Sequence, residues 1–308
     1  MALLTKEQVL AQVAAKQAFY QTELSNIDLS GANLNEAKFP EAYLRSANLS
    51  DASCLRSDFS RAVLRFANLS GANLSNAILT KTEFNSATLN GANFKEVKAT
   101  KLKLFGAKIS NLEASFALLT DADLREVTGE GCNFSGANLE RVKLLKAKVT
   151  NSVFSHAKLK NAIASLADFT GTIWINSDLT KVDFSSSNLD QTDFTEATLI
   201  DTNLSNTSLI AANLTSTELI EANLKNCLFD QTNLTDTSFL SADLEGAKFT
   251  NLSLKGTILQ DANLEKTTWH KVDFADCNVD NAVFSQAEGL TPEQKQWLRK
   301  NGALNVPK

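Results

Sequence analysis

The sequence predicts an all-β solenoid that carries a short α-helix at each end. Three observations predict it: a five-residue repeat, a register of that repeat that never slips, and helix-capping signals outside the repeat at both ends. Repeats of this kind predict stacked units, because one unit cannot bury its apolar face alone and neighbouring units must share a core. The prediction covers most of the 308-residue chain.

The repeat consists of a small residue, a polar residue and a large apolar residue, followed by two further positions. Representative copies are Ala32–Leu34, Ala72–Leu74, Ala137–Leu139 and Ala222–Leu224. The large apolar residue falls on numbers ending in 4 or 9, and the stretch from Leu24 to Phe284 holds 53 consecutive units. A single inserted residue would shift every later copy, so the constant register indicates one continuous repeat.

A period of five fits neither a helix, with 3.6 residues per turn, nor a strand, with a period of two. We interpret each unit as one short edge and one turn. The large residue and the small residue two positions before it point inward, and the polar residue between them points outward. The last two positions form a corner, where Ser, Thr, Asn and Gly are frequent, as turns require. At Ala99, Ala114 and Gly129 the two inward positions exchange large and small, as a close-packed interior demands.

This A(D/N)LXX pattern resembles the pentapeptide repeat family, and in particular its long cyanobacterial members, over about 260 of the 308 residues. The resemblance implies a right-handed quadrilateral parallel β-helix with four units in each coil. The 53 units then make about 13 coils. At about 4.8 Å per stacked strand the solenoid is roughly 60 Å long. Many long members have no assigned role, so the resemblance implies a fold far more than a function.

Helices are predicted at both ends, where they prevent end-to-end stacking through open edges. Thr5 and Gln8 form a capping box, which predicts a helix from Lys6 to about Phe19. Thr291, followed by Pro292, predicts a second helix that runs to about Asn301 and is ended by Gly302.

Three segments follow from these signals. They are an N-terminal helical cap over residues 1–22, a repeat region over 23–288 and a C-terminal helical cap over 289–308. The N-terminus shows no targeting signal and no apolar run is long enough to cross a membrane, so we expect a cytoplasmic protein.

Residues that carry chemistry are few. His156 and His270 fall on outside corners and far apart, and the unbroken register leaves no loop that would assemble a nucleophile and a base. The cysteines lack metal-ligand spacing and all occupy inward positions, where they act as small apolar residues; they are Cys54, Cys132, Cys227 and Cys277. We therefore predict a protein that is not an enzyme and uses no small-molecule substrate, cofactor or metal.

A ladder of apolar corner residues is the sharpest candidate for a binding surface. Ile200, Ile220 and Leu240 are 20 residues apart, so with four units per coil they stack on one edge. Contiguous exposed apolar residues often mark interaction sites, although a stacked ladder also stabilises a solenoid edge. Together with the neighbouring acids Asp201 and Glu221, the ladder predicts a surface for an unknown protein partner.

Charge segregation gives an alternative function. Residues 161–290 carry 6 basic and 19 acidic groups, a net charge of −13. The family that the chain resembles contains members that mimic DNA and bind gyrase, so the resemblance implies this function as an alternative. B-DNA carries about one charge per 1.7 Å, hence about −18 over the roughly 31 Å of this segment. Against this alternative, we expect the acids to spread over all four faces.

Two further binding modes are weaker. Residues 95–160 carry 12 basic and 7 acidic groups, and Phe105 at a corner has the geometry to stack on a base. Acids such as Asp121 and Asp123 interrupt this zone, so the sequence favours a mixed charged surface over one that binds nucleic acid or anionic lipid. Trp297 has two interpretations: it packs on its own coil, or it joins two chains into a homodimer, as a C-terminal element does in gyrase-protecting members.

Overall fold

The computed structural model describes residues 4–308. Its regular elements, in chain order, are α1 (Lys6–Ala14), β1 (Thr128–Glu130), β2 (Lys148–Thr150), β3 (Leu228–Asp230), β4 (Lys248–Ser253), β5 (Thr268–Asp273) and α2 (Pro292–Lys300). The chain divides into two compact units, Met1–Lys158 and Leu159–Lys308. No described helix is both long and apolar enough to cross a membrane.

Residues 20 apart pair in parallel throughout both units. In the first unit Asn48 pairs with Asn68, and in the second Asn203 pairs with Asn223. The short strands keep the same register, since Phe229 of β3 lies beside Phe249 of β4. Four five-residue units therefore complete one turn of the solenoid, which confirms the predicted β-helix. Its handedness and its number of coils stay predictions.

Each five-residue unit closes with a turn. The amide of Ala32 donates to the carbonyl of Leu29 at 3.1 Å within one turn, and the amide of Leu29 donates to Asn48 of the next coil at 2.7 Å. The second corner residue, whose number ends in 1 or 6, has a φ between 49° and 72° from Lys16 to Gln286. This left-handed conformation is costly for residues other than glycine. The repeated hydrogen bonds between coils must offset that cost.

The outward polar residue has a structural role that the sequence interpretation missed. The Oδ1 atom of Asn48 accepts a hydrogen bond from the amide of Ser50 at 3.1 Å, and Oδ1 of Asp193 accepts one from Thr195 at 3.0 Å. Such Asx turns explain why Asn and Asp recur at this position, because few other side chains bond the amide two residues on.

Large inward side chains stack on one another from coil to coil. In the first unit the ring centroids of Phe19 and Phe39 are 4.7 Å apart. In the second, those of Phe249 and Trp269 are 4.2 Å apart. All of these rings are at most 2% exposed. The core therefore lies along the axis of each unit and is lined by the residues whose numbers end in 4 or 9, as predicted.

The N-terminal helix is shorter than predicted. Its capping box is present, with the Thr5 side chain accepting from the Gln8 amide, but α1 ends at Ala14. Lys16 already has the left-handed φ of 55° that belongs to a repeat corner, which a helix cannot continue through. Ala18 pairs with Lys38. The repeat register thus begins before residue 23, and the predicted helix to Phe19 was wrong by five residues.

The C-terminal helix matches the prediction. In α2 the side chain of Thr291 accepts from the Gln294 amide, Pro292 occupies the first turn, and Asn301 is the C-cap. Leu298 is fully buried. The Gln294 side chain also donates to the carbonyl of Val272 at 2.8 Å, so the helix satisfies a polar group of the last coil.

The chain after α2 returns to the solenoid. Leu304 pairs in parallel with Val283, and the amide of Phe284 donates to the Leu304 carbonyl at 2.9 Å. The tail thereby adds one strand-like segment to the final edge. Pairing or covering an edge prevents uncontrolled association through it.

Candidate interaction surfaces

The predicted apolar ladder is assembled by the coil register. The amide of Asp201 donates to the carbonyl of Ile220 at 3.0 Å, and the amide of Glu221 donates to Leu240 at 2.9 Å. Ile200, Ile220 and Leu240 therefore occupy the same corner of successive coils. Each is half-buried. Part of the ladder packs along the corner, and the remainder is accessible to a partner.

The two acids beside the ladder are exposed. Lys181 lies 3.9 Å from the carboxylate of Asp201. Glu221 forms no ion pair within the described part of the chain. An exposed pair at that distance adds little stability, so these carboxylates are free to meet a cationic partner.

The acids of the second unit lie on all four faces, as expected, but 13 of the 19 lie on the two faces that meet at this corner. One face holds the outward residues at 161, 163, 165 and every twentieth residue after each, and carries 2 basic and 7 acidic groups. The adjoining face, at 176, 178, 180 and every twentieth residue after each, carries 6 acidic groups and no basic one. The other two faces together carry 4 basic and 6 acidic groups. The two acidic faces meet at the ladder, and this corner with both faces is called the acidic edge.

Part of this charge is fixed by local contacts. Lys225 lies 3.0 Å from the carboxylate of Asp243 and 3.1 Å from that of Glu245, and Lys266 lies 2.6 Å from Glu245. Hydrogen bonds from Lys266 and Lys225 lower the pKa of Glu245. The remaining acids of the edge keep the net charge strongly negative at neutral pH.

Amide ladders hold other acids of this edge. The side-chain Nδ2 of Asn203 donates to Oδ1 of Asp183 at 3.0 Å, and Nδ2 of Asn223 donates to Oδ1 of Asn203 at 3.1 Å. Each Asn side chain donates a hydrogen bond to the residue of the preceding coil. The first residue of the ladder, Asp183, therefore only has to accept one. Asp fits that first position because an ionised carboxylate is an acceptor only.

The predicted basic zone is rearranged by the fold. The net positive charge of the first unit lies on one face, which we call the basic face. It is formed by the outward residues at 41, 43 and 45 and every twentieth residue after each, up to 145. It carries 9 basic and 4 acidic groups. On the opposite face, formed by the outward residues at 31, 33 and 35 and every twentieth residue after each, up to 155, the only charged residues are Asp51, Lys95 and Glu113. Phe105 lies on the basic face, with its ring centroid 5.6 Å from the guanidinium carbon of Arg125.

The residues considered for chemistry are separated. His156 lies in a turn of the first unit and His270 in β5 of the second, and both are exposed. All four cysteines are free and buried. Burial raises the pKa of the Cys54 and Cys227 thiols to about 12. Within residues 4–308 no group of His, Cys, Asp and Glu has an arrangement that would hold a metal ion.

Trp297 packs on its own unit. Its ring centroid is 6.3 Å from that of Phe274, and the side chain is half-buried. A groove of about 300 Å³ beside it is lined by residues that include Val272, Ala275 and Gln294. A homodimer through α2 stays a prediction.

These features define the class of protein: a β-solenoid repeat protein whose outward residues form charged and apolar surfaces. The chain belongs to the pentapeptide repeat family. The model of that family, "Pentapeptide repeats", matches eight copies over residues 19–55, 57–95, 107–148 and 248–286. A second one, "Pentapeptide repeat region", matches residues 191–259. No curated protein matches the chain.

Solved pentapeptide repeat proteins are similar to the chain at low identity. HetL, from the cyanobacterium Nostoc sp. strain PCC 7120 and described as involved in heterocyst differentiation regulation, is 22% identical, with 91% of this chain and 97% of HetL covered and a TM-score of 0.22. Full-length QnrB1, a plasmid-mediated fluoroquinolone resistance protein, is 15% identical, with 78% and 92% covered and a TM-score of 0.29. Rfr23, from the cyanobacterium Cyanothece 51142, is 24% identical, with 49% and 89% covered and a TM-score of 0.16.

Proposed function

We propose that the protein is a non-catalytic scaffold that binds a protein partner through the acidic edge of its second unit. The observation that carries this proposal is the position of the apolar ladder. Ile200, Ile220 and Leu240 lie where two faces meet that together hold 13 acidic and 2 basic groups. A partner with apolar anchors surrounded by Lys and Arg would complement this surface.

The two kinds of contact have different roles. The charges attract and orient a basic partner, which raises the association rate and disfavours acidic competitors. The accessible part of the ladder supplies desolvated contact near the centre, where binding energy concentrates. Because neighbouring coils fix the spacing of these side chains through backbone hydrogen bonds, little ordering of the scaffold is required on binding.

Replacing Ile220 by Lys tests this proposal. The side chain is half-buried at a corner, so the lysine stem packs along the corner and its ammonium reaches water, which preserves the fold. The probe is a fluorescent synthetic peptide composed of Leu and Lys. We expect it to bind the wild-type protein, and to bind the Ile220→Lys variant with at least tenfold lower affinity. Fluorescence anisotropy measures the change.

Ile210 provides a matched control. It is also half-buried at a corner, its carbonyl accepts a hydrogen bond from Gln191 at 2.8 Å, and it lies half a coil away from the ladder. Ile210→Lys has the same change of charge and should bind within twofold of the wild type. Equal loss in both variants, or no loss in either, would refute the ladder as the binding surface.

A second candidate function is inhibition of a type II topoisomerase, gyrase, by DNA mimicry through residues 161–290. The observation that favours it is the clustering of acids on the acidic edge. The DNA-binding surface of gyrase would meet most of the net charge of −13 on this one side of the second unit. The about −18 of an equal length of B-DNA is of similar size.

Inhibition of DNA supercoiling by purified gyrase tests this candidate. We expect the wild-type protein to inhibit at micromolar concentration and the triple variant Glu196→Lys, Glu218→Lys, Asp236→Lys to lose inhibition, because it reverses exposed charges of the acidic edge. The matched control reverses three exposed acids of the first unit, Glu96, Glu126 and Glu130. Absence of inhibition at tens of micromolar removes this candidate and leaves the basic protein partner.

A further inference from the structure

The basic face of the first unit has no role in the function proposed above. The first unit as a whole carries 19 basic and 15 acidic groups, a net charge of +4. The basic face alone carries 9 basic and 4 acidic groups, a net charge of +5, which Glu23, paired with Tyr43 in the same register just before it, lowers to +4. The surplus of the unit is therefore confined to one of its four faces, although the charged residues are dispersed along the sequence.

The four acids of the basic face are neutralised within it. The ion pairs are Glu41–Arg61, Glu83–Arg65, Glu83–Lys103, Asp121–Arg141 and Asp123–Arg125. Hydrogen bonds from the Arg141 guanidinium lower the pKa of Asp121, which therefore stays ionised at neutral pH. No carboxylate of residues 4–308 lies within 4 Å of the amino groups of Lys81, Lys101 and Lys143. These cations are available to an anionic ligand.

Exposed aromatic rings alternate with the cations. Tyr43 on the basic face is 44% exposed, and Phe66, at the corner that borders it, is 55% exposed. The guanidinium of Arg45 lies 5.5 Å from the centroid of the Phe66 ring. Both rings are therefore open to solvent and accessible to a ligand. A cation held over an exposed ring presents charge and a stacking surface together.

The face also has a concave part. Lys101, Lys103, Arg141 and Lys143 line an open hollow of about 400 Å³, together with Asp121 and Asp123. The two aspartates of this hollow are those already held by arginines. The four cationic side chains outnumber the two aspartates, so the hollow has a net charge of +2.

We propose that the basic face binds single-stranded nucleic acid. Positive grooves with aromatic platforms are the combination that such ligands require, because the cations follow the phosphates and each base has a face to stack. The six coils that contribute to the face extend over roughly 24 Å at about 4.8 Å per coil. That length matches the lower end of the site sizes of about 4–16 nucleotides known for single-strand binders.

The aromatic rings favour a single strand over other polyanions. In a duplex the bases are stacked on one another, so a side chain meets only their edges and the phosphates. An acidic peptide would pair with the lysines but would leave Tyr43 and Phe66 without a stacking partner. A single strand uses both features of the face at once.

Binding of a fluorescein-labelled strand of 12 deoxythymidines, measured by anisotropy, tests the proposal. The triple variant Lys81→Glu, Lys101→Glu, Lys143→Glu should lose at least tenfold in affinity at 50 mM salt. Its plot of log affinity against log salt should also be shallower by about 2, because each phosphate contact contributes about 0.7 to that slope for single strands. All three lysines are exposed, so circular dichroism should be unchanged.

A matched triple variant separates this face from general charge. Lys38, Lys98 and Lys108 are also exposed lysines of the first unit, on its other faces. Their replacement by Glu makes the same change of net charge and should alter affinity by less than threefold. An equal loss in both triple variants, or no binding of the strand by the wild type at tens of micromolar, would overturn the proposal.

An aromatic pair tests the stacking part. Phe66→Ser should weaken binding about five- to tenfold, in keeping with the stacking of one base. Phe116 is 63% exposed at a corner away from the basic face, and Phe116→Ser should have no effect. If poly-glutamate competes as well as the strand and Phe66→Ser binds normally, the face accepts any polyanion and the assignment to nucleic acid is wrong.

Discussion

Replacement of Trp174 by Ala is expected to lower the free energy of unfolding by about 3–5 kcal/mol, the usual cost of removing a fully buried aromatic side chain. The side chain is 0% exposed. Its ring is 5.4 Å from that of Phe169 and 5.8 Å from that of Phe184, both in edge-to-face geometry. Its Nε1 donates to the hydroxyl of Thr172 at 2.7 Å.

The loss should be large because the cavity has few ways to collapse. The surrounding inward side chains belong to coils that are held in register by backbone hydrogen bonds, for example from the Trp174 amide to the Asp193 carbonyl at 2.6 Å. A rigid cavity retains its full cost. Because solenoid stability is a sum over neighbouring repeats, amides near residues 164–194 should also exchange with solvent sooner in this variant than in the wild-type protein.

Chemical denaturation followed by far-ultraviolet circular dichroism measures the change. Trp297→Ala is the control, since Trp297 of α2 is only half-buried, beside Phe274, and its loss should cost about 1 kcal/mol. Equal effects of the two substitutions would contradict the packing described for the core of the second unit.

Replacement of Asn203 by Asp is expected to destabilise the protein by about 1–3 kcal/mol at pH 7. The substitution removes the Nδ2 donor that reaches Asp183 at 3.0 Å and places two carboxylates directly opposite each other. A lost hydrogen bond costs about 0.5–1.5 kcal/mol, and like charges across neighbouring strands add to it. The Asx bond to the Ser205 amide should survive, because a carboxylate still accepts.

The effect should depend on pH in a defined direction. The carboxylate of Asp183 favours the neutral form of the new acid, so the pKa of the new acid in the folded state is raised above that in the unfolded chain. The folded protein then holds more protons, and the repulsive part of the penalty is absent below the unfolded pKa of about 4. It develops as the pH rises through the folded pKa. Denaturation midpoints between pH 3 and pH 7 should show this.

Asn138 offers the matched control for this substitution. It too accepts from a corner amide, that of Glu140 at 3.1 Å, but its neighbours in the preceding and following coils are Leu118 and Lys158. Asn138→Asp should therefore be neutral or slightly stabilising at pH 7. A penalty of equal size there would show that loss of the amide, rather than repulsion within the ladder, is responsible.

The sequence predicted one of the candidate surfaces but not the other two. The apolar ladder was predicted, because three large corner residues at a spacing of 20 are conspicuous. The acidic edge was missed, since its charge is divided between two adjoining faces and becomes evident only when the faces are joined at their shared corner. The basic face was missed because its charged residues are dispersed along the sequence, and summing charge by position within a 20-residue period is the signal that reveals it.

The five-residue period, the inward and outward positions, and the capping signals at both ends are all evident from the sequence alone. These properties follow from residues close in the chain, where small, polar and large side chains impose the geometry of one edge and one turn. Even bulky residues such as Phe66 and Phe116, with φ of 60° and 56°, obey the corner geometry, which their own preferences oppose.

Which outward side chains meet depends on the packing of one coil on the next. A five-residue period does not fix how many units complete a turn; hydrogen bonds between coils do, and they place residues 20 apart side by side. That register joins Asn203 to Asp183, gathers the acids around Ile220, and aligns the cations of the first unit on one face. It also ends α1 at Ala14, because the first corner at Lys16 already belongs to the solenoid and its left-handed backbone excludes a further helical turn.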